Sequence, residues 1–596
     1  MLRRRNHDNA SQKDSTSASP VQGNPVVKKS SKQDTKIDEK FELFMIILLF
    51  VIRIGSAFYD VINDCDEVYN YWEPLHLFLY GEGFETWEYS PVYAIRSYFY
   101  ICLHYIPAWF ISFFYSKTAV FLAVRISLAL MCAIGEFYAY CAISDKLNKR
   151  AAWFYLVFSV FSSGVFLSCS SFLPSSFCMS MTFYIIGAFI YEHWSFGIFC
   201  VAFSTLVGWP FSAVIGLPFV IQMLFLRDLK TEFILPAVFS GMGIGTVQFL
   251  VDTYFFGKPV VASLNIVLYN VLSGPGPSLY GEEPLSFYIK NLLLNWNILV
   301  FVIVLGIPYA VWRMLDLRRA ESLKDSIERN SAFYLFAATC FLWLLIFGAQ
   351  AHKEERFLFP IYPLIALLAA FVYDCIHEQL IRWKIGKFSG FIVSVVFVLC
   401  YVSISCSRVY SIHTNYEAHS RIYKELNKEF QPVNKFETQI SVNSPDVQVC
   451  VGKEWHRFPS SFFIPTRDRD GRKIRMAFVR SEFRGLLPQP FKVVIHLIDS
   501  TRYEPLAMND MNKEELSRYV SLNSCDYFID VDMPATEFEP NLGEMTNEWE
   551  NIASRKFIDL SKPAKYAGLL RAFYVPYFSA KENAMTNYSL YRKIVR

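Results

Sequence analysis

Apolar stretches long enough to cross a bilayer recur through the first two thirds of the chain. A spanning helix needs about 20 mostly apolar residues. Such stretches lie at 41–59, 92–115, 119–143, 152–170, 174–192, 195–226, 231–256, 291–314, 331–350, 357–376 and 387–408. The long 195–226 stretch contains Gly208-Trp209-Pro210, a sequence that breaks or kinks helices. We therefore predict a polytopic α-helical membrane protein with about eleven transmembrane helices.

The composition of the 596 residues agrees with this prediction and excludes other classes. Hydrophobic residues make up 53% and charged residues 19%, whereas a soluble domain carries about 25% charge. The chain is too apolar to be disordered as a whole. A net charge of +3 is too small for a nucleic-acid binder without a concentrated basic face. Thirteen cysteines in a chain of this length do not make a disulfide scaffold.

Three regions of the chain differ in composition and in the sequence pattern they show. Residues 1–40 are polar with a basic bias, which predicts a disordered cytosolic tail. Residues 41–408 form the transmembrane module. Residues 409–596 predict an α+β domain, with a helix at 415–430 and strands at 475–479, 491–499 and 526–532. Its two cysteines, Cys450 and Cys525, are compatible with a disulfide or with two unpaired buried thiols.

Charge in the connecting segments predicts their sidedness. Segments 227–230, 315–330 and 377–387 carry Lys or Arg, as cytosolic loops do. An odd number of spans then places the C-terminal domain on the far side. Segment 144–150 is also basic but falls on the far side in this count, which is a conflict. Within the spans, Arg125 and Glu136 lie three turns apart, and we expect each to pair with another helix.

Two loops on the far side, 60–91 and 257–290, are too long for simple connectors. We expect them to lie over the bundle as short interfacial helices. The first opens with Asp64-Cys65-Asp66-Glu67. Packed carboxylates raise each other's pKa, which suits a general base. The alternative is a solvated, acidic helix start. Asp-x-Asp can also hold a divalent metal, but the pattern alone is weak.

The rest of the first loop alternates aromatic and polar side chains, namely Trp72, Glu73, His76, Trp87, Glu88 and Tyr89. Anchoring at the lipid interface is the simple explanation of such aromatics. Sugar rings are also held this way, by aromatic faces and by acids that accept hydroxyl hydrogen bonds. Asp252 and Tyr254 close a span on the same side. Glu282 or Glu283 of the second loop could reach a polar ligand, although a turn explains most of that loop.

A charged hairpin, His352-Lys353-Glu354-Glu355-Arg356, separates two apolar spans. Lys353 and Arg356 could face one anion together, since Arg suits phosphate through two hydrogen bonds and Lys adds a point charge. The alternative is a turn with internal ion pairs. The span count puts this cluster on the same side as Asp64–Glu67. An acid that deprotonates an acceptor and cations that stabilise a phosphate leaving group suit transfer from a phosphate-linked donor.

Four blocks resemble a known family: DCDEVYNYWEPLHLFLYGEGFETWEYSPVYAIRSY, LNIVLYNVLSGPGPSLYGEEPLSFYIKNLLLN, HKEERFLFPIYPLI and VCVGKEWHRFPSSFF. They are similar to the endoplasmic-reticulum α-1,2-mannosyltransferases of N-glycan assembly, in glycosyltransferase family 22 of the GT-C superfamily. The resemblance runs from about residue 41 to the C-terminus. Related enzymes of the glycolipid-anchor pathway tend to have His-Pro-Asp-Glu here, which aligns Asp66 and Glu67 with the catalytic acidic pair. Asp64 is the departure from that pattern.

The resemblance implies a GT-C fold, a multi-pass location in the endoplasmic reticulum membrane and an active site facing the lumen. Loops 60–91 and 257–290 and the domain 409–596 would then be luminal. The implied donor is dolichyl-phosphate mannose. The implied acceptor is the dolichyl-diphosphate-linked oligosaccharide, at its six- and eight-mannose stages. The implied partners are these two lipids and the membrane, with no nucleic acid.

A β-linked donor that gives an α product implies one inverting displacement with a single carboxylate base. Asp66 is the expected base, and Glu67 and Asp64 are expected to orient the acceptor. His352, Lys353 and Arg356 are expected to contact the donor phosphate. No cofactor is expected, and a metal is not needed by a monophosphate donor. The alternatives are a mannosyltransferase of the glycolipid-anchor pathway and a polytopic lipid or sugar transporter, which would show paired repeats or broken helices at mid-membrane.

Overall fold

The computed structural model describes residues 32–272, 277–315, 330–382, 387–430 and 445–594. Most of the predicted tail, residues 1–31, therefore lies outside the described residues. The chain divides into two compact units, Met1–Ile47 and Leu48–Arg596. The contacts below all lie within the second unit.

Helices dominate the described residues between positions 32 and 430. In chain order the helices are α1 (Lys32–Tyr59), α2 (Cys65–Glu67), α3 (Glu73–Tyr80), α4 (Tyr98–Ser112), α5 (Lys117–Lys146), α6 (Lys149–Val160), α7 (Ser163–Ser168), α8 (Pro174–Tyr191), α9 (Trp194–Phe203), α10 (Leu217–Val220), α11 (Lys230–Phe256), α12 (Ala262–Leu272), α13 (Ser286–Trp296), α14 (Ile298–Met314), α15 (Ser331–Ala349), α16 (Tyr362–Arg382), α17 (Lys387–Tyr416), α18 (Ala418–Phe430), α19 (Leu497–Arg502), α20 (Leu569–Ala572) and α21 (Phe578–Glu582). Turns of π-helix at Val68–Trp72, Ser204–Gly208 and Ile221–Leu226, and 3₁₀ turns at Pro210–Gly216 and Glu355–Ile361, extend several of them.

All eleven predicted apolar stretches are helical in the described residues. Seven of them form helices long and apolar enough to cross a membrane, and an eighth is the pair α13–α14, bent by 107°. The other three stretches form shorter apolar pieces. The predicted polytopic helical architecture is therefore confirmed, and two of the shorter stretches need a corrected path.

The predicted span 92–115 does not cross. It forms the 15-residue helix α4, which begins beside Asp252 at the end of α11, where Ser97 Oγ donates to the Asp252 carboxylate at 2.9 Å. The next helix, α5, begins at Lys117, whose ammonium lies 5.0 Å from the Tyr80 ring of the first long loop. Both ends of α4 thus lie at the end of the bundle that carries Asp64–Glu67, which we call the site end.

The stretch 195–226 crosses twice, because it breaks where Gly208-Trp209-Pro210 predicts. Trp209 is extended, as a residue before proline prefers, and its ring packs 5.2 Å from Phe357 at the site end. Both outer ends of the stretch meet at the opposite end, where Arg227 pairs with Glu192 at 2.7 Å. The two corrections cancel in the count of crossings.

This path also removes the conflict over the basic segment 144–150. Asn148 donates to the Asp374 carboxylate at 3.0 Å, and Arg150 pairs with the same carboxylate. Asp374 directly precedes the basic segment 377–387. Segment 144–150 therefore lies at the opposite end with the other basic segments, and its far-side placement in the sequence count was wrong.

Two ion pairs buried in the bundle fix the end of α1, from which the acidic cluster starts. Arg53 pairs with Glu136 at 2.9 Å, with both side chains fully buried. Arg125 pairs with Asp60 at 2.8 Å and also donates to the Asp60 carbonyl at 3.0 Å. Arg125 and Glu136 thus bind other helices, as predicted. Such pairs need both partners, because removal of one leaves a buried charge uncompensated.

The C-terminal domain contains a six-stranded sheet of order β5-β3-β2-β6-β8-β7. The eight strands of the described residues are β1 (Phe84–Glu85), β2 (Val447–Val451), β3 (Ile474–Val479), β4 (Gln489–Pro490), β5 (Tyr519–Val520), β6 (Tyr527–Val531), β7 (Trp549–Ile558) and β8 (Met585–Lys593). Strands β2, β3, β5 and β6 are parallel, and β7 and β8 are antiparallel additions. The predicted α+β class is confirmed, with β3, β6 and α18 at the predicted positions.

The predicted strand 491–499 is wrong. Its alternating apolar residues do not face a sheet: Val493 is 59% exposed and Ile495 is 95% exposed. The segment leads instead into α19, where Thr501 Oγ1 donates to the Phe255 carbonyl at 2.8 Å at the end of α11. The two open alternatives for the cysteines resolve to a disulfide, Cys450–Cys525, with a Cα–Cα distance of 5.9 Å.

The first long loop is joined to the C-terminal domain by main-chain pairing and by one buried carboxylate. Strands β1 and β4 pair antiparallel across the junction. Glu73, fully buried, accepts from Ser460 Oγ at 2.9 Å, from Ser461 Oγ and nitrogen at 2.7 Å each, and from the Phe84 nitrogen at 3.0 Å. Burial raises the pKa of Glu73, although these hydrogen bonds oppose the rise. Glu73 therefore fixes the domain against the loop that carries the acidic cluster.

We expect Glu73→Ala to destabilise this junction, because it leaves four donors without their acceptor inside the protein. The free energy of unfolding should fall by at least about 2 kcal/mol. Thermal unfolding and limited proteolysis of the purified protein would measure the loss. Asp470→Ala, at a C-terminal-domain carboxylate that is 71% exposed, is the control. Equal melting temperatures for the two variants would contradict the role of Glu73.

Candidate active site

The acidic cluster is a short helix with its own cap. Asp64 is extended and caps α2, its Oδ1 accepting from the Asp66 nitrogen at 2.9 Å. This capping explains why Asp64, Cys65 and Asp66 turn tightly at the end of the first span. It also brings the carboxylates of Asp64 and Asp66 to the same side of the turn.

Arg356 lies between these two carboxylates. Its guanidinium is 3.1 Å from Asp64, 2.5 Å from Asp66 and 2.5 Å from Glu354, and the side chain is only 13% exposed. Arg356 reaches them from the 3₁₀ turn Glu355–Ile361, which follows α15. The structure thus confirms that the acidic and cationic clusters meet at one end of the bundle. Three carboxylates therefore share one guanidinium.

The two aspartates differ in their titration. Burial raises the pKa of Asp64 to about 7; Arg356 lowers it, and the neighbouring Asp66 adds to the rise. Burial works in the same direction on Asp66, but Arg356 and Arg96 outweigh it and hold the pKa of Asp66 below its usual value. The pair therefore holds an ionised Asp66 beside an Asp64 that takes up a proton near neutral pH.

His352 and Glu354 form the second half of the charged hairpin. His352 Nε2 lies 2.8 Å from Glu354, and this hydrogen bond raises the pKa of His352. Burial works to raise the pKa of Glu354, but Arg356 and His352 overcome it, so the net shift is downward. Lys353 is turned the other way: it donates to the Glu283 carbonyl at 2.7 Å and to the Gln350 carbonyl. Its ammonium braces the second long loop.

A cavity of about 710 Å³ opens over this cluster. Of the residues predicted from sequence, it brings together Asp64, Asp66, Trp87, Glu88, Glu283, His352, Lys353 and Arg356. Carboxylates, cations and aromatic faces therefore line one space, as in a binding pocket with a few convergent polar groups.

The other predicted side chains lie outside the lining, and most of them make internal contacts. Glu67 accepts from Trp72 Nε1 at 3.0 Å and from the Phe172 nitrogen at 2.9 Å. His76 Nδ1 lies 2.5 Å from the Glu82 carbonyl. Glu67 and Trp72 thus hold the acidic turn against the bundle, and any influence of Glu67 on an acceptor acts through this positioning.

Three of the remaining predicted residues also make internal contacts, and two are exposed. The Tyr89 hydroxyl donates to the Asn70 carbonyl at 2.8 Å. Asp252 accepts from Ser97 and from the Tyr98 nitrogen at 2.8 Å, at the start of α4. Glu73 holds the domain junction. Tyr254 and Glu282 are exposed. Direct substrate contact by any of these residues stays a prediction.

Sequence reasoning missed Arg96. Its guanidinium donates to Glu88 at 2.8 Å and to the Tyr71 hydroxyl at 2.9 Å, and it lines the cavity. Arg96 stands within the block that carries the resemblance, but nothing in its spacing shows that it turns toward Asp66. Only the folded loop brings it there.

Asp64, Cys65 and Asp66 offer three ligand atoms within 4.8 Å of one another, a spacing that could hold a divalent cation. Arg356 contacts both carboxylates at the place where a cation would bind them. The guanidinium thus serves as their counter-ion. The expectation that no metal is needed stays a prediction.

Known proteins resemble this chain over most of its length. An alpha-1,2-mannosyltransferase, algn-9, from Caenorhabditis elegans is 55% identical, over 92% of this chain and 90% of the relative. The human alpha-1,2-mannosyltransferase ALG9 is 38% identical, over 91% and 87%. The solved structure of ArnT from Cupriavidus metallidurans bound to undecaprenyl phosphate has a TM-score of 0.49 and 11% identity, over 92% of this chain and 98% of ArnT.

Residues 44–465 match the Alg9-like mannosyltransferase family. This match contains the first long loop, the charged hairpin and the start of the C-terminal domain, and hence every residue of the acidic and cationic clusters. The chain therefore belongs to the Alg9-like mannosyltransferase family.

Proposed function

We propose that this membrane mannosyltransferase moves mannose in α-1,2 linkage from dolichyl-phosphate mannose to a dolichyl-diphosphate-linked oligosaccharide. The acceptors are the six- and eight-mannose intermediates of N-glycan assembly. The observation that carries the proposal is Arg356, held between Asp64 and Asp66 in the wall of a large cavity. The curated relatives described above are α-1,2-mannosyltransferases by name, and this supports the linkage.

The reaction is a single displacement. An acceptor hydroxyl oxygen attacks the anomeric carbon of the mannose, the bond from that carbon to the phosphate oxygen breaks, and dolichyl phosphate leaves with the electron pair. Asp66 takes the hydroxyl proton. Attack opposite the leaving group converts the β-linked donor to an α-linked product, so no residue is needed as a nucleophile.

Arg356 and His352, two of the cations that line the cavity, are the groups that we assign to the departing phosphate. Arg356 presents several donors in a planar fork, which suits phosphate oxygens. His352 carries a raised pKa and is thus more often protonated at neutral pH than a free histidine. Lys353 acts by bracing Glu283 at the cavity wall. Cations that meet the charge developing on the phosphate stabilise the transition state.

The distribution of basic residues supports the proposed orientation in the endoplasmic reticulum. The opposite end of the bundle carries Arg150, Arg227, Arg313 and Arg382, in the ion pairs of that end. Basic short loops favour the cytosol. The site end, with the cavity and the C-terminal domain, then faces the lumen.

The first test is transfer by the purified protein from dolichyl-phosphate mannose to defined lipid-linked oligosaccharides. We expect Asp66→Asn to lower the turnover rate by at least about a hundredfold, because the acceptor proton loses its base. Glu550→Gln, at a carboxylate that is 55% exposed on β7, is the control and should keep full activity.

Full activity of Asp66→Asn would overturn the base assignment. Transfer to a glycolipid-anchor acceptor in place of the oligosaccharide would overturn the pathway assignment. Movement of the lipid across the membrane without mannose transfer would favour a transporter.

The pH profile tests the coupling of the two aspartates. Protonation of Asp64 removes a negative charge beside Asp66 and makes Asp66 a weaker base, so the rate should fall on acidification through pH about 7, the pKa of Asp64. In Asp64→Asn only Asp66 remains, and its pKa is lowered by Arg356 and Arg96. The acidic limb of the profile should therefore move to lower pH. An unchanged limb in this variant would contradict the coupling.

We expect transfer to proceed without a divalent metal, because Arg356 already serves as the counter-ion of Asp64 and Asp66 and the donor carries a single phosphate. Initial rates would be compared after exhaustive treatment with EDTA and after addition of Mg²⁺ or Mn²⁺. Unchanged rates are the expected result. Loss of activity on chelation, with recovery on metal addition, would make Asp64, Cys65 and Asp66 the ligands to test.

A further inference from the structure

The C-terminal domain supplies one wall of the active-site cavity. Trp455, Phe483, Leu486 and Asn512 line the same space as Asp64, Asp66 and Arg356. Trp455 follows β2, and Phe483 lies between β3 and β4. None of these side chains has a part in the displacement described above, so their presence in the wall calls for another role.

Contacts on both sides hold this wall in place. The Tyr69 hydroxyl, three residues after Asp66, donates to the Trp455 carbonyl at 2.8 Å. The rings of Trp455 and Phe483 lie 4.7 Å apart. The hydrogen bond from Tyr69, which lies in the loop that carries the acidic cluster, therefore fixes the wall relative to that cluster.

The Phe483–Leu486 turn is shaped by Asn512. Asn512 adopts a left-handed backbone with φ of 51°, and its Oδ1 accepts from the Leu486 nitrogen at 3.0 Å. A Cβ at Gly485 would come within 2.3 Å of the Phe483 ring and 2.6 Å of Asn512 Oδ1. Only glycine allows this close approach, which brings the ring and the amide together.

The chemistry of the wall suits a sugar. Trp455 and Phe483 are only half-buried, which leaves ring surface for the C–H face of a pyranose. The Asn512 side-chain nitrogen has no hydrogen-bond partner among the described residues, and it can donate to a hydroxyl. A cavity of about 710 Å³ is in the size range of a whole drug-sized ligand, and has room for sugar rings beyond the one that reacts.

We propose that Trp455, Phe483 and Asn512 form a binding subsite for the mannose residues of the acceptor that lie next to the reacting hydroxyl. This inference rests on the proposed function, since it assigns that acceptor its contacts. The membrane module positions the donor and the base, and the C-terminal domain binds the glycan of the acceptor.

The experiment measures acceptor and donor kinetics separately in the full-length protein. Trp455→Ala should raise the KM for the lipid-linked oligosaccharide by about tenfold, the loss of one good ring contact. The KM for dolichyl-phosphate mannose should stay unchanged. For a short acceptor, one mannose on the same lipid diphosphate, Trp455→Ala should change the KM little, because this acceptor does not reach the wall.

Two conservative variants separate binding from folding. Trp455→Phe keeps a ring and should recover most of the acceptor affinity. Asn512→Asp keeps the oxygen that accepts from Leu486 and tolerates the left-handed backbone, but it loses the free donor and should raise the acceptor KM. Phe538→Ala is the matched control, because Phe538 is a half-buried aromatic of the same domain that packs on Arg484 at 4.6 Å outside the cavity.

The outcomes are distinct. Absence of transfer to any lipid-linked oligosaccharide by the wild type overturns the proposed function and this subsite with it. Transfer by the wild type with an unchanged acceptor KM in both Trp455→Ala and Asn512→Asp overturns the subsite alone. Equal losses for the long and short acceptors, or a loss in Phe538→Ala of the same size, show a structural role for the wall and also overturn it.

Discussion

The contact of Arg356 with Asp64 and Asp66 is the constraint on which the site depends. It joins the end of the first span to a hairpin some 290 residues later in the chain. Two carboxylates packed this closely repel each other, so the turn that holds them needs a cation between them. The ion pairs Arg53–Glu136 and Arg125–Asp60 then anchor the span from which the turn starts. The bundle thus maintains one electrostatic cluster at its site end.

Residue chemistry and order were sufficient to predict the meeting of the two clusters, because both directly follow apolar spans. Two opposite errors in the predicted path cancel: charge and length do not reveal that α4 returns to the site end, nor that α9 and α10 lie in separate crossings. The polytopic helical architecture survives both errors because the second restores the direction that the first reverses for the later spans. The prediction of a strand at 491–499 was wrong because the alternating apolar side chains of this segment face outward beside α11.

The individual roles were harder to predict than the location. Glu67, Glu73 and His76 look like ligand-binding groups in a loop sequence, yet the fold uses them for internal hydrogen bonds. Trp455 was not among the predicted site residues, yet it lines the cavity. The difference depends on contacts such as that of Tyr69 with Trp455, which join residues 386 positions apart. No local pattern carries that information.

The same cluster gives a physical link between donor binding and the base. In the free site Arg356 stabilises the charge of Asp66 and keeps its pKa low, which makes Asp66 a weak base. A donor phosphate close to Arg356 shares the guanidinium and adds a second negative charge nearby, and both effects raise the pKa of Asp66. Under the proposed function, binding of the donor thereby makes Asp66 a stronger base for the acceptor proton. Because Asp66 contacts the arginine that would stabilise the leaving phosphate, Asp66 is suited to remain a weak base until the donor phosphate binds.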